Sequence, residues 1–479
     1  MIRSLKGEHY IMNTTDSRME SDSIGTLSVP ADAYYGVQSL RAAYNFPITG
    51  RRLHPVFINS LAKIKKAAAI TNKDAGELPP SIADAIISAC DEIISGRLHD
   101  EFIVDAIQGG AGTSANMNAN EVIANRAIEL LGGTKGDYTL VHPNDHVNMA
   151  QSTNDVIPTA GHLTVLTLAE AVEKELHRLY AALTCKAEEF DGVLKMGRTQ
   201  LQDAVPMRLG QTFAAYASML KRDIIRLRII HKEMLTVNLG GTAIGTAINV
   251  SPYYLEHAVE NLSQIAGFPL RQAENLFDAT QNLDTFVDAS GVLKSCAVNL
   301  SKMCNDLRLL SSGPKTGIAE INLPPKQNGS SIMPGKINPV IPEVVSQVAF
   351  NIIGNDTTIT IAAESGQLEL NAFEPVLFDA LFSSFDTLTH AVSTLIDNCI
   401  EGITANEEHC LELMDASVGI STVLCPYIGY TRAAQIAKTS LKTGVPVRDL
   451  VLKEGLLTEQ QLNELLNPFK MTQPAATVS

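Results

Sequence analysis

The chain has 479 residues, 45 % hydrophobic and 19 % charged, and a formal net charge of −15. That length exceeds one compact core and predicts two or three domains, and the composition is that of a folded chain rather than a disordered one. The acidic balance disfavours nucleic acid or an anionic membrane as the main partner, but leaves room for a locally positive pocket that takes a small anion.

From the N-terminus, the first roughly 20 residues read as a polar, loose tail. They lack the apolar core and cleavage site of a secretory signal, and no apolar run nears the ~20 residues a membrane helix needs, so a cytoplasmic location is expected. Glycine and proline cluster at 24–50, 108–113, 131–144, 238–253, 313–335 and 444–446. Strand signals are sparse, and short hairpins are expected only near 24–50 and 238–253. Between the clusters, breaker-free stretches predict long helices at 160–190, 207–236, 274–312, 341–363 and 368–401. In 274–312, Leu283, Phe286, Ser290, Leu293, Ala297, Leu300, Cys304 and Leu307 alternate spacings of three and four, a seam with one polar exception. Leu209, Phe213, Tyr216, Leu220, Ile224 and Leu227 behave alike. Helices of ~30 residues run about 45 Å and cannot wrap a small core. They predict a mainly all-α protein built on a long antiparallel bundle, with leftover apolar faces suited to association with other copies. Three segments are expected: a mixed, mostly helical N-terminal domain (1–150), the long bundle (151–405) and a small helical C-terminal domain (406–479). In the last, Thr458 with Gln461 reads as a capping box, and Gly455 as the end of the preceding helix. The seven cysteines are odd in number, widely spaced and without C-x-x-C, which predicts buried reduced thiols.

Four polar segments interrupt the apolar helices. In QGGAGTSANMNANE (108–121), three glycines allow close backbone approach, and Thr113 and Ser114 stand where a helix start favours an anion. HPNDHVNMAQSTNDVIPTA (142–160) sets Ser152, Thr153, Asn154 and Asp155 before Pro158 and a long helix, as a carboxylate cradle or a plain helix cap. His142 and His146 have metal-ligand spacing, but Pro143 argues against a helix there. MGRTQLQDAVPMRLGQ (196–211) places Thr199 and Gln200 in a loop before a helix. PPKQNGSSIMPGKINPVIPE (324–343) packs many helix breakers around Ser330, Ser331, Lys336 and Asn338, which fits a mobile lid bearing a hydroxyl and a cation.

The last segment, through Gly329, Ser330, Ser331, Met333, Pro334, Lys336 and Asn338, resembles the signature of the fumarase/aspartase superfamily. The other three, and VPADAYYGVQSLRA (29–42), resemble its remaining active-site regions in the right order, over about residues 22–470. HPNDHVNMAQSTND, GRTQLQDAVP, GGTAIGT and GKINPVIPE are most similar to the aspartase branch. The hydratase branch typically carries histidine where this chain has Gln200, and that imidazole is thought to relay protons with a glutamate matching Glu343. An amide cannot do so near neutral pH.

The resemblance implies a carbon–nitrogen lyase that reversibly eliminates ammonia from L-aspartate to give fumarate through an aci-carboxylate intermediate; the alternative is a class II fumarase-type hydratase. A lens-type storage relative of the fold is a further alternative, which the intact serine loop opposes. It implies Ser330 as general base, Ser331, Thr153 and Ser152 as receivers of the β-carboxylate, and Lys336 and Asn338 as holders of the α-carboxylate. Thr113, Asn154 and Gln200 orient the substrate, and Arg41 assists. It further implies a homotetramer whose active sites each draw on three subunits. The elimination itself needs no organic cofactor, and the sequence offers no metal site, although divalent cations activate some relatives.

Overall fold

The computed structural model describes residues 16–472. The expected N-terminal tail falls outside these up to residue 15. Beyond it, Ser17–Ser21 (β1) is not loose but pairs antiparallel with Thr26–Pro30 (β2). Then follow α1 (Val37–Asn45), α2 (Pro55–Asp74), α3 (Pro80–Ile94) and α4 (Thr113–Leu130). Five long helices carry the middle of the chain: α5 (Thr153–Glu189), α6 (Leu209–Glu233), α9 (Asp284–Leu310), α10 (Val340–Glu364) and α11 (Glu374–Asn398). Between them lie a hairpin, β3 (Leu194–Thr199) with β4 (Gln202–Arg208), the two-residue strands β5 (Thr236–Val237) and β6 (Arg271–Gln272), the helices α7 (Pro252–Ala266) and α8 (Leu276–Gln281), and β7 (Ile321–Asn322). The chain closes with β8 (Thr404–Ala405) and short helices, among them α12 (Glu407–Ala416), α13 (Ile420–Ile428) and α14 (Tyr430–Thr443). Among the described residues the strands form four two-stranded sheets, so the protein is mainly helical as expected.

The chain divides into two compact units, and the division runs through all five long helices. Among the described residues, the first comprises 16–170, 228–291 and 354–385; the second comprises 171–227, 292–353 and 386–472. In the first, α2 packs on α3 and α7, and α4 on α1 and α3. Phe57, Phe378, Phe382 and Phe286 form a connected aromatic core, extended by His162, whose ring centroid lies 4.6 Å from that of Phe286. In the second, Met196 of β3 joins Met414, Ile420, Leu424, Ile436, Val447, Leu450, Val451 and Leu462 in one apolar cluster.

Every residue of both predicted seams is buried. The polar exception, Ser290, donates to Asp356 Oδ1 at 2.8 Å, which explains a hydroxyl at a core position. The stretch 274–312 is interrupted: Asn275 caps α8 through the amides of Phe277 and Asp278, and the backbone is extended at Asn282 before α9 begins. No hairpin forms at 238–253; β5 instead pairs in parallel with β6. A further hairpin, β3–β4, lies where a loop was expected. The Thr458–Gln461 capping box is present, and Gly455 (φ 65°) follows the preceding helix. All seven cysteines are free; five are buried as expected, but Cys185 on α5 is exposed and Cys425 on α13 is only partly buried.

Pro158 lies inside α5, not ahead of it. Proline has no N–H for the carbonyl four residues back. The Asn238 amide takes its place and donates to the Asn154 carbonyl at 3.0 Å, while its own oxygen accepts from Thr159 Oγ1. The 238–243 loop therefore completes the first turn of α5.

His162 is held neutral by burial, which pushes its pKa from 6.5 down to about 4, opposed by its bond to the Met234 carbonyl. Above about pH 6.5 the ring is uncharged whether folded or unfolded, and its full contribution is present. As the pH falls toward 4, the unfolded chain binds a proton that the native site resists, and about 3 kcal/mol of stability is lost. Urea unfolding at pH 7 and pH 5 should show a smaller pH-dependent loss for His162→Gln than for the parent; identical losses would contradict this origin.

Candidate active site

The residues singled out in the sequence fall into two groups, one in each unit. Arg41, Thr113, Ser152, Thr153 and Asn154 belong to the first; Gln200, Ser330, Ser331, Lys336 and Asn338 belong to the second.

In the first unit, the start of α5 is the organising element. Ser152 caps it: its Oγ accepts from Asn154 N at 3.3 Å, and Asp155 reaches back to Ser152 N at 2.9 Å. The Asp155 carboxylate also accepts from Gly240 N (3.0 Å) and Thr242 N (3.2 Å), and Asn154 Nδ2 donates to the Ala243 carbonyl at 2.7 Å. Half of the Asn154 amide is thus committed to structure. The Thr153 hydroxyl, half-buried, accepts from Asn116 Nδ2 at 3.3 Å. Asn116 also donates to Asn148 Oδ1, which accepts from the Lys65 ammonium at 2.8 Å. Lys65 is fully buried; burial lowers its pKa to about 7, with the Asp155 carboxylate opposing. Reasoning from sequence missed Lys65, Asn116 and Asn148. The available signal was a lysine on the apolar stripe of α2, in register with the buried Leu61 and Ala68.

Thr113 is the first residue of α4. Its hydroxyl turns back to the Gly110 carbonyl at 2.7 Å, at an exposed position. Arg41 is engaged by Asp22: its Nε and Nη2 lie 3.0 Å from the two carboxylate oxygens, and this pairing holds Asp22 below the usual carboxylate range. His142 and His146 do not stand in an open loop, because Pro143–Val147 forms one helical turn. Their Nδ1 atoms cap it, accepting from Asn144 N and Asp145 N and from His142 N respectively. Among the described residues, no three His, Cys, Asp or Glu side chains gather as a metal ion would require.

In the second unit, Thr199 and Gln200 do not precede a helix. Thr199 pairs with Gln202 across the β3–β4 turn, and Gln200 and Leu201 occupy its two tip positions with φ of 53° and 63°. A two-residue turn with both φ positive matches the twist of a hairpin, but normally uses glycine or asparagine. Two ordinary side chains there store backbone strain, as functional sites commonly do.

The segment 324–339 is a long loop from β7 to α10. Gly329 N donates to the Lys336 carbonyl at 2.9 Å, and Asn338 Nδ2 to the Gly329 carbonyl at 2.8 Å, closing 329–338 into a ring. At its centre, Ser330 Oγ accepts from Ile332 N at 3.2 Å and from Met333 N at 3.1 Å. The side chains of Ser331 and Lys336 are exposed. Asn338 braces the ring in this conformation. The arrangement gives a serine oxygen two backbone N–H donors and places a cation on the same short loop.

The Lyase family profile matches residues 25–354, and the Fumarase C C-terminus profile matches 420–473. Aspartate ammonia-lyases from Pseudomonas aeruginosa and a Bacillus species are 56 % and 52 % identical, each alignment spanning 96 % of this chain and 97 % and 98 % of the relative. Among solved structures, a fumarate lyase:delta crystallin from Brucella melitensis bound to cobalt superposes with a TM-score of 0.94 at 51 % identity, covering 96 % of this chain and all of that one. A class II fumarase from Schistosoma mansoni gives 0.92 at 36 %, with the same coverage. Helical core, serine loop and family profiles together define a lyase. The chain belongs to the aspartate ammonia-lyase family of the fumarase/aspartase superfamily, as the resemblance of its four polar segments implied.

The ring of 329–338 needs glycine at its first position, where a methyl group would run into the Lys336 carbonyl and crowd Asn338 N. Gly329→Ala should cost about 10²-fold or more in kcat by displacing Ser330, with unchanged far-ultraviolet circular dichroism. Near-normal turnover would show that the ring does not set the serine's position.

Proposed function

We propose that the chain catalyses the reversible elimination of ammonia from L-aspartate to give fumarate. The observation that carries the mechanism is the Ser330 oxygen held by two backbone N–H groups; full-length identity to aspartate ammonia-lyases supports the substrate.

The Cβ proton of aspartate is weakly acidic because its removal puts a second negative charge on the adjacent carboxylate. Ser330, as alkoxide, takes that proton. A serine alkoxide is unstable in water, and hydrogen bonds to the charged form favour it. The amides of Ile332 and Met333 supply two such bonds, and the Lys336 ammonium on the same loop adds positive charge. The electron pair left on Cβ moves into the carboxylate, giving the aci-carboxylate, which Ser331, Thr153 and Ser152 receive with preorganised donors. The pair then returns to form the C=C bond, and the C–N bond breaks with loss of ammonia. Lys336 and Asn338 hold the α-carboxylate; Thr113, Asn154 and Gln200 orient the substrate around the departing nitrogen, and Arg41 assists from α1. The elimination requires a base, anion receptors and a cation, all of them protein groups, and no organic cofactor.

The hydratase alternative is disfavoured by Gln200, whose amide carries no titratable proton for a relay.

The active unit in this proposal is a homotetramer with each site completed by three subunits. Exposed apolar residues on the long helices support association: Ile225 and Ile229 of α6, Val298 and Leu309 of α9, and Val344, Phe350 and Ile361 of α10, with Phe350 63 % exposed. No single helix among the described residues is long and apolar enough to cross a membrane.

With aspartate, malate, argininosuccinate and adenylosuccinate offered separately, fumarate should form fastest from aspartate with stoichiometric ammonia; faster release from malate would favour the hydratase. Ser330→Ala should lower kcat about 10²–10⁴-fold without loss of the oligomer, and Lys336→Ala should chiefly raise KM.

A further inference from the structure

The tip of the β3–β4 hairpin is exposed and strained at Gln200, yet its root is tied to a buried cluster of charge. Glu320 is fully buried. Its Oε1 accepts from Arg198 Nη1 at 2.6 Å, and the Lys195 ammonium lies 3.0 Å from Oε2, close enough for charge pairing though off the line of a hydrogen bond. Lys195 is also buried and Arg198 largely so.

The backbone of Glu320 is itself pinned. Its N–H donates to the Leu310 carbonyl at the end of α9, and its carbonyl accepts from Asn406 N at 2.9 Å and from Cys410 Sγ. It immediately precedes β7, from which the chain enters the loop of Ser330. On the hairpin side, the pairing register shifts between Met196 and Arg198. A bulge of this kind re-aims a side chain. Arg198 is two residues before Gln200, so the bulge and the ion pair together fix where the turn begins.

Stability alone does not account for three charges at this place, since buried ion pairs are often matched by apolar side chains of similar volume. Their distinctive property is directional: a carboxylate with two cations permits one arrangement where apolar packing permits several. We infer that Glu320 is a positioning residue, which acts through Arg198 and Lys195 to hold the Gln200 tip in a fixed relation to the root of the Ser330 loop. This rests on the ammonia-lyase reading for its consequence, that the Gln200 amide meets substrate in one orientation.

The test is a double-mutant cycle. Glu320→Gln keeps the shape and removes the charge, and should lower kcat/KM for aspartate about 10²-fold, the cost of a small misplacement near the chemistry. In a Gln200→Ala background the same change should cost less than about twofold, because Glu320 acts through that side chain. Equal losses in both backgrounds would overturn the inference, since a merely structural role adds independently. If Glu320→Gln does not fold, Arg198→Lys, which keeps the charge and loses the Nη1 donor to Glu320, completes the cycle with the same expectation. Amide hydrogen exchange is the second readout and needs no substrate: exchange at 199–203 should rise in the variant while α6 and α9 stay unchanged, and unchanged exchange at the tip would overturn the inference. A parent protein that forms no fumarate from aspartate would sink the ammonia-lyase reading alone, and the exchange data would still decide whether Glu320 holds the tip.

Discussion

Two backbone amides aimed at one serine oxygen are the contact on which the proposed chemistry depends. A hydroxyl becomes a base only where its anion is better solvated by the protein than by water. The loop of Ser330 provides this from its own backbone, since Ile332 N and Met333 N converge on Oγ. The convergence in turn requires the ring closed by Gly329, Lys336 and Asn338. The ring is held by its ends: the chain leaves β7 at Asn322 and enters α10 at Val340, so a loop rich in helix breakers is suspended between a paired strand and a long helix. The rigid elements fix the endpoints, and the glycine and prolines shape the path between them.

The residues proposed to receive the anion, in the first unit, are built differently. There Ser152 and Thr153 sit at the start of a helix whose first turn cannot complete its own hydrogen bonds, because Pro158 lacks an N–H. Asn238 completes them from another part of the chain, and Asp155 ties the same turn to Gly240 and Thr242. Behind Thr153 stands a chain of amides that ends on the buried ammonium of Lys65. Such a network is costly where a member is unsatisfied, as the Asn116 side-chain oxygen is, while its bonded links favour one geometry. Ser152 and Thr153 are therefore presented by a stiff frame, in contrast to the exposed loop that carries Ser330.

The long helices were legible because their packing is periodic. Leu283 to Leu307 and Leu209 to Leu227 announce one buried face each, and the fold buries every one of them. The capping box at Thr458 was legible because it is local. The β3–β4 hairpin was not, because its turn uses Gln200 and Leu201 in a conformation usually signalled by glycine. The parallel pairing of β5 with β6 joins residues too far apart for local patterns to reveal. Of the site, the serine loop stood out by the density of its breakers. Lys65 and Glu320 did not, since a single charged residue in an apolar stretch does not disclose its partner. Arg41 was placed from resemblance alone, and its bidentate pairing with Asp22 shows that an arginine in a family motif also serves the hairpin beside it.

The central claim is that the Ser330 oxygen removes hydrogen from carbon. Proton nuclear magnetic resonance of aspartate formed from fumarate and ammonium in deuterium oxide tests this most directly, with parent and Ser330→Ala proteins compared at matched site occupancy. The account predicts one deuterium delivered stereospecifically to Cβ by the parent and almost none by the variant, with fumarate binding retained. Undiminished deuterium delivery without the hydroxyl would contradict it.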